Sequence, residues 1–151
     1  MKRMLISCLF LLLLVFAGCG KKDNGDRHNT FAGENEFWSV TYELSGNISH
    51  TKKENGNLQI DGWTDTKFTA EYKGDLSDLS DVKHIEIGYK GKFDKGRIVN
   101  DYSDGDGATS KIFELSGSNS SVYRVPGKED TIQVEVNVDG EIQNFELKLM
   151  D

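Results

Sequence analysis

From Glu36 onward apolar and polar residues alternate along the chain. In "EFWSVTYELS" Trp38, Val40, Tyr42 and Leu44 take turns with Ser39, Thr41 and Glu43. A period of two puts one set of side chains on each face of a strand, so this segment predicts a strand with one dry face and one wet face. "TKFTAEYKG" repeats the pattern with Phe68, Ala70 and Tyr72, and "KHIEIGYKG" repeats it with Ile85, Ile87 and Tyr89. "RIVNDY", "SKIFEL" and "SSVYRV" read as further strands. "GDLSDLSDVK" predicts a short helical turn between strands, with Leu76 and Leu79 facing inward.

The strongest local signal is "TIQVEVNVDGEIQNFELKLM". Asp139-Gly140 separates two β-prone runs, and Asp-Gly suits the positive backbone angles of a two-residue type I′ turn. A loop of those two residues places Val134 opposite Phe145 and Ile132 opposite Leu147, so the apolar faces agree. Ile142 then falls opposite Asn137 on the other face. Seven to nine such strands in about 115 residues, separated by Gly, Asn and Asp turns, predict an all-β antiparallel sandwich of immunoglobulin-like architecture. Its expected core is Trp38, Phe68, Tyr72, Ile85, Ile87, Phe113, Val134, Val136, Phe145 and Leu147.

The N-terminus follows different rules. Lys2 and Arg3 precede an apolar run from Leu5 to Ala17, and the small residues Ala17 and Gly18 lead into Cys19. This is the order of a secretory signal. The run is short of the about 20 apolar residues that a membrane-spanning helix needs. "FAGC" resembles the bacterial lipobox, with Phe16 where leucine is commonest. The resemblance implies diacylglyceryl attachment to the Cys19 thiol, cleavage before Cys19 and acylation of the new N-terminus. Two acyl chains such as palmitate make a lasting anchor, because each buried methylene contributes about 0.8 kcal/mol and one chain holds only marginally. The expected organisation is a signal peptide over 1–18, a lipidated cysteine and tether over 19–36, and one domain over 37–151. The expected location is the extracytoplasmic face of the cell membrane.

Cysteine usage and charge narrow the chemistry. The two cysteines are Cys8 and Cys19. One leaves with the signal and the other becomes a thioether, so disulfides, thiolate metal sites and cysteine nucleophiles drop out together. The formal charge is −7. Loss of Lys2 and Arg3 with the leader makes it −9, with 16 basic against 25 acidic side chains. Such a surface repels phosphate backbones, and nucleic acid is not an expected partner.

The whole layout resembles the small lipoproteins of Bacillus-like Gram-positive bacteria, through "AGC", "FWSVTYEL", "YKGDLSDLSDVKHIEIGYKG" and "DTIQVEVNVDGEIQNFELKL". The resemblance implies a membrane-anchored β-sandwich and carries no established reaction.

Candidate chemistry is sparse. His28 falls in the expected tether, His50 in a polar turn region and His84 at a strand start, and no Gly-x-Ser-x-Gly elbow accompanies them. "NDYSDGDGATS" gathers Asp101, Asp104 and Asp106 on a loop that Gly105 and Gly107 allow to turn tightly. A Ca²⁺ ion wants six to eight oxygens, which such a loop can supply. The spacing does not fit an EF-hand, and Asp and Gly also favour turns for conformational reasons alone. Trp63 in "DGWTDT", with Tyr102 and Tyr123, could form a loop platform for a sugar or peptide; the competing role for Trp63 is to cover one end of the core. The functional expectation is a non-enzymatic interaction module that meets an envelope polymer or protein at the cell surface. The alternative is a Ca²⁺- or small-ligand-binding lipoprotein using the Asp101 to Asp106 loop.

Overall fold

A computed structural model describes residues 25–53, 55–102, 107–120, 126 and 129–150. It is all β apart from one 3₁₀ turn. The strands are β1 (Gly25–Glu34), β2 (Trp38–Lys52), β3 (Leu58–Tyr72), β4 (His84–Lys90), β5 (Lys95–Asp101), β6 (Ile112–Asn119), β7 (Ile132–Val138) and β8 (Glu141–Leu149). The 3₁₀ turn is Leu76–Leu79. All pairings are antiparallel, and the hydrogen-bonded order is β5-β4-β7-β8-β1-β2-β3-β6.

That order corrects the expected two-sheet sandwich. The eight strands form one continuous sheet that curls until it nearly closes into a barrel. Its two outer strands, β5 and β6, come close at Gly96 and Leu115, where a Cβ on Gly96 would lie 2.7 Å from Leu115 Cδ2. The same added Cβ would collide with the Tyr89 ring. Glycine is therefore what lets β5 pass over Tyr89 and bring the sheet edges together.

The continuity comes from β1, which corrects a second expectation. Residues 25–34 fall within the expected tether, which reaches Glu36, yet they pair with β2 along their whole length, from Gly25 opposite Ile48 to Glu34 opposite Ser39. At Phe31 opposite Leu149 and Ala32 opposite Lys148, β1 also pairs with β8 and so joins the two halves of the sheet. Phe31 is fully buried and meets Tyr42 edge-on. Only one large apolar side chain in this segment faces the core, so no alternation announces the strand; its neighbours supply the order. His28 consequently sits in a strand, with Nδ1 2.9 Å from Ser45 Oγ. His50 likewise lies within β2 and not in a turn.

The β7–β8 hairpin has the expected register, with Val134 opposite Phe145, Ile132 opposite Leu147 and Asn137 opposite Ile142. Asp139 (φ 49°) and Gly140 (φ 95°) both occupy the left-handed region that a type I′ turn demands. Asp139 also ties the turn to β4, because its carboxylate accepts from the backbone N–H of Lys83 at 3.0 Å and of His84 at 2.8 Å.

Eight of the ten expected core residues are buried, while Tyr72 and Phe145 are partly buried against them. The 3₁₀ turn inserts Leu79 into the core but leaves Leu76 exposed, since four residues make a single turn and only its last side chain reaches inward. The expected strand "SSVYRV" falls at 121–125, outside the described residues. No helix among the described residues is long and apolar enough to cross a membrane.

Candidate functional site

The inward-facing side chains of β2, β3 and β6 change character along the barrel. Opposed residues fall into successive rows: Trp38 with Tyr72, then Val40 with Ala70 and Phe113, then Tyr42 with Phe68 and Leu115. Two further rows follow, Leu44 with Thr66 and Gly117, and Gly46 with Thr64 and Asn119. The first three rows are apolar, mostly large, and fill the barrel. The last two hold one large apolar side chain, the buried Leu44, among small or polar residues.

A cavity of about 490 Å³ occupies that under-filled end. Its wall includes Leu44, Thr64, Thr66, Leu115 and Gly117 from the last rows, together with Tyr42, Tyr89, Phe93 and Asp94. Volumes of about 300–1,000 Å³ are usual for small-molecule sites.

The β4–β5 turn forms one lip. Gly91 N–H donates to the Asp94 carbonyl at 2.8 Å, closing the turn and setting the Asp94 side chain over the cavity wall. Asp94 Oδ2 accepts two phenol protons, from Tyr42 at 2.9 Å and from Tyr89 at 2.8 Å. Its Oδ1 accepts the Lys95 backbone N–H at 2.8 Å. The two tyrosine rings lie 5.1 Å apart, and Tyr89 stacks on Phe68 at 4.8 Å. Burial raises the Tyr42 hydroxyl well above the ordinary phenol range, and the Asp94 charge reinforces it. Tyr89 is raised for the same reasons, burial first and its hydrogen bond to Asp94 second. Both phenols therefore keep their protons at any physiological pH and remain donors to Asp94.

The Thr66 hydroxyl lies beside this clasp, 3.3 Å from the Gly117 carbonyl and also in hydrogen-bonding contact with the Tyr42 hydroxyl. Ser118 pairs with Asp65 on the outer face of the sheet, where its hydroxyl donates to Asp65 Oδ1 at 2.5 Å. The protons of Tyr42 and Tyr89 are thus committed to Asp94.

The residues singled out from sequence lie elsewhere. Asp101 ends β5, and its carboxylate meets His84 Nδ1 at 2.6 Å. His84 Nε2 is 3.7 Å from Glu86, which also accepts from Arg97 at 2.8 Å. The hydrogen bond to Asp101 holds the His84 pKa above its ordinary 6.5. Asp104 and Asp106 lie outside the described residues, as do Cys19 and Tyr123. Among the described residues no three His, Cys, Asp or Glu side chains gather as a metal site.

Trp63 is not a loop residue. It lies within β3 opposite Asn47, on the outer face, and is 45% exposed. Tyr102 follows β5 and packs against the core, with its backbone N–H donating to the Lys83 carbonyl at 2.8 Å. Among the described residues no ring contact joins either to another aromatic.

Along the sequence Tyr42 and Tyr89 are ordinary members of an apolar face, and the cavity residues do not stand out. The available signal was that the alternation of "GWTDTKFTAEY" continues upstream of Phe68 with Thr66 and Thr64 in inward positions, a polar stretch on what should be a core face. Comparison with protein-family models, with curated proteins and with solved structures gives no match.

Proposed function

We propose that the protein is a non-enzymatic binding module, held at the extracytoplasmic face of the cell membrane by acyl chains on Cys19, and that it takes a small ligand into the open end of its barrel. The observation that carries the binding role is the gradient along β2, β3 and β6. Inward positions beyond Tyr42, Phe68 and Leu115 hold Thr66, Gly117 and Thr64 instead, while Gly46 is required by the Trp63 carbonyl oxygen, 2.5 Å from where its Cβ would lie. A barrel stabilised only by its core gains nothing from rows that leave about 490 Å³ unfilled, since each apolar contact forgone weakens the fold. A ligand site does gain from them.

The anchor rests on the sequence alone, on Lys2, Arg3, the apolar run and "AGC" ending at Cys19. It places the barrel where envelope components and incoming solutes meet the cell. β1 begins at Gly25, so acyl chains on Cys19 would hold the barrel close to the membrane surface.

The experiment is native mass spectrometry of the protein extracted from bacterial membranes in mild detergent, with the wild type compared with Thr66→Leu. The wild type is expected to carry a diacylglyceryl-modified N-terminal Cys19 and a copurifying small molecule that the variant lacks. An unmodified Cys19 would remove the anchor. Identical ligand content in the two proteins would remove the cavity as the binding site.

A further inference from the structure

We infer that the ligand of the barrel-end cavity is an organic cation bearing N–H donors, a primary ammonium or guanidinium group on a short apolar body. This rests on the reading of the cavity as the binding site and adds the chemistry of what enters it.

The hydrogen-bonding capacity of the Asp94 lip is one-sided. The protons of Tyr42 and Tyr89 are both held by Asp94 Oδ2, and that of Thr66 lies between the Gly117 carbonyl and Tyr42. What the Tyr89 and Thr66 oxygens can still offer is lone pairs. Asp94 adds a carboxylate to the same wall. Donors on the wall, from Lys95, Asn119 and Thr64, are side chains other than those of the Asp94 clasp, and at the clasp itself a ligand's acceptors find no free phenol proton. An N–H cation meets the wall on its own terms, and hydrogen bonds between ionised partners are roughly twice as strong as neutral ones.

Shape and field agree. Leu44, Leu115 and Phe93 supply apolar surface next to the acceptors, which suits a small hydrocarbon body. One face of the Phe93 ring is engaged by the Lys92 ammonium, 5.4 Å from its centroid, so Phe93 contributes apolar surface and not a second cation seat. Lys95 is the single basic side chain on the wall. The chain as a whole is acidic, with a formal charge of −7, and its field draws cations toward the barrel.

The test is a set of amide NMR titrations of the full chain in detergent micelles with four probes: benzylammonium, its uncharged counterpart benzyl alcohol, tetramethylammonium and glucose. Benzylammonium is expected to shift the Thr66, Tyr89 and Leu115 amides saturably and to bind at least about tenfold more tightly than benzyl alcohol. Asp94→Asn, which removes the carboxylate charge from the wall, should reduce the preference for benzylammonium over benzyl alcohol at least about fivefold. Because the charged and neutral probes are compared on the wild type, the inference remains testable even if the variant does not fold. Benzyl alcohol or glucose binding as tightly as benzylammonium at these amides would overturn the cation and leave the cavity standing. Tetramethylammonium binding as tightly would overturn the need for N–H donors. No probe shifting these amides would overturn the cavity itself.

Discussion

The two ends of this barrel are built from the same strands and yet do opposite things. At one end Trp38 meets Tyr72 at 5.3 Å and Phe113 at 5.7 Å, Leu79 plugs the opening, and Asp139 ties the β7–β8 turn down to Lys83 and His84. At the other end Leu44, Thr66 and Gly117 border a cavity of about 490 Å³, and a clasp of two phenols on Asp94 holds one lip. A strand has no intrinsic reason to be packed at one end and open at the other. The difference lies in a few inward side chains, and it separates residues that stabilise the fold from residues available for binding.

The largest effect should come from the packed end. Trp38→Ala removes a ring that is only 1% exposed and touches two others, and is expected to cost about 3–5 kcal/mol in equilibrium chemical unfolding. A domain of this size has total stability of only about 5–15 kcal/mol, so the variant should be marginal at 37 °C. A cost as small as a surface substitution would place the core elsewhere and erase the contrast.

A smaller and pH-dependent effect belongs to His84, beside the Asp139 turn. Its folded pKa is raised above 6.5, chiefly by the hydrogen bond to Asp101. A raised basic group stabilises the fold fully below its unfolded pKa, and that contribution disappears as pH climbs through the higher folded value. The melting temperature of the wild type relative to His84→Gln should therefore be higher at pH 5.5 than at pH 8.5. A difference that stays flat, or grows toward alkaline pH, would mean that the His84–Asp101 contact does not persist in solution.

The sequence makes the packed end legible and hides the open one, for a physical reason. Trp38, Phe68, Ile85, Ile87, Val134 and Val136 alternate with polar neighbours, and Asp139-Gly140 fixes a register by its backbone angles; both signals are local. The single curled sheet depends on β1, whose inward face carries one large apolar side chain, Phe31, and whose order comes from pairing with distant strands. The cavity is less visible still. Thr64 and Thr66 read as ordinary polar strand residues until Phe68 and Ala70 fix which face is inward, and Asp94 meets Tyr42 and Tyr89 only once β2, β4 and the β4–β5 turn are assembled. The acidic loop and Trp63 were conspicuous in composition, yet Asp101 is engaged by His84 and Trp63 faces outward.

The contrast between the ends is tested most directly by equilibrium unfolding of Thr66→Leu. Unfilled space lies beside Thr66, so the larger side chain should be accommodated, with stability equal to or above that of the wild type. A loss of about 1–3 kcal/mol, the usual cost of forcing extra methylenes into a filled core, would contradict it and show that this end of the barrel is packed after all.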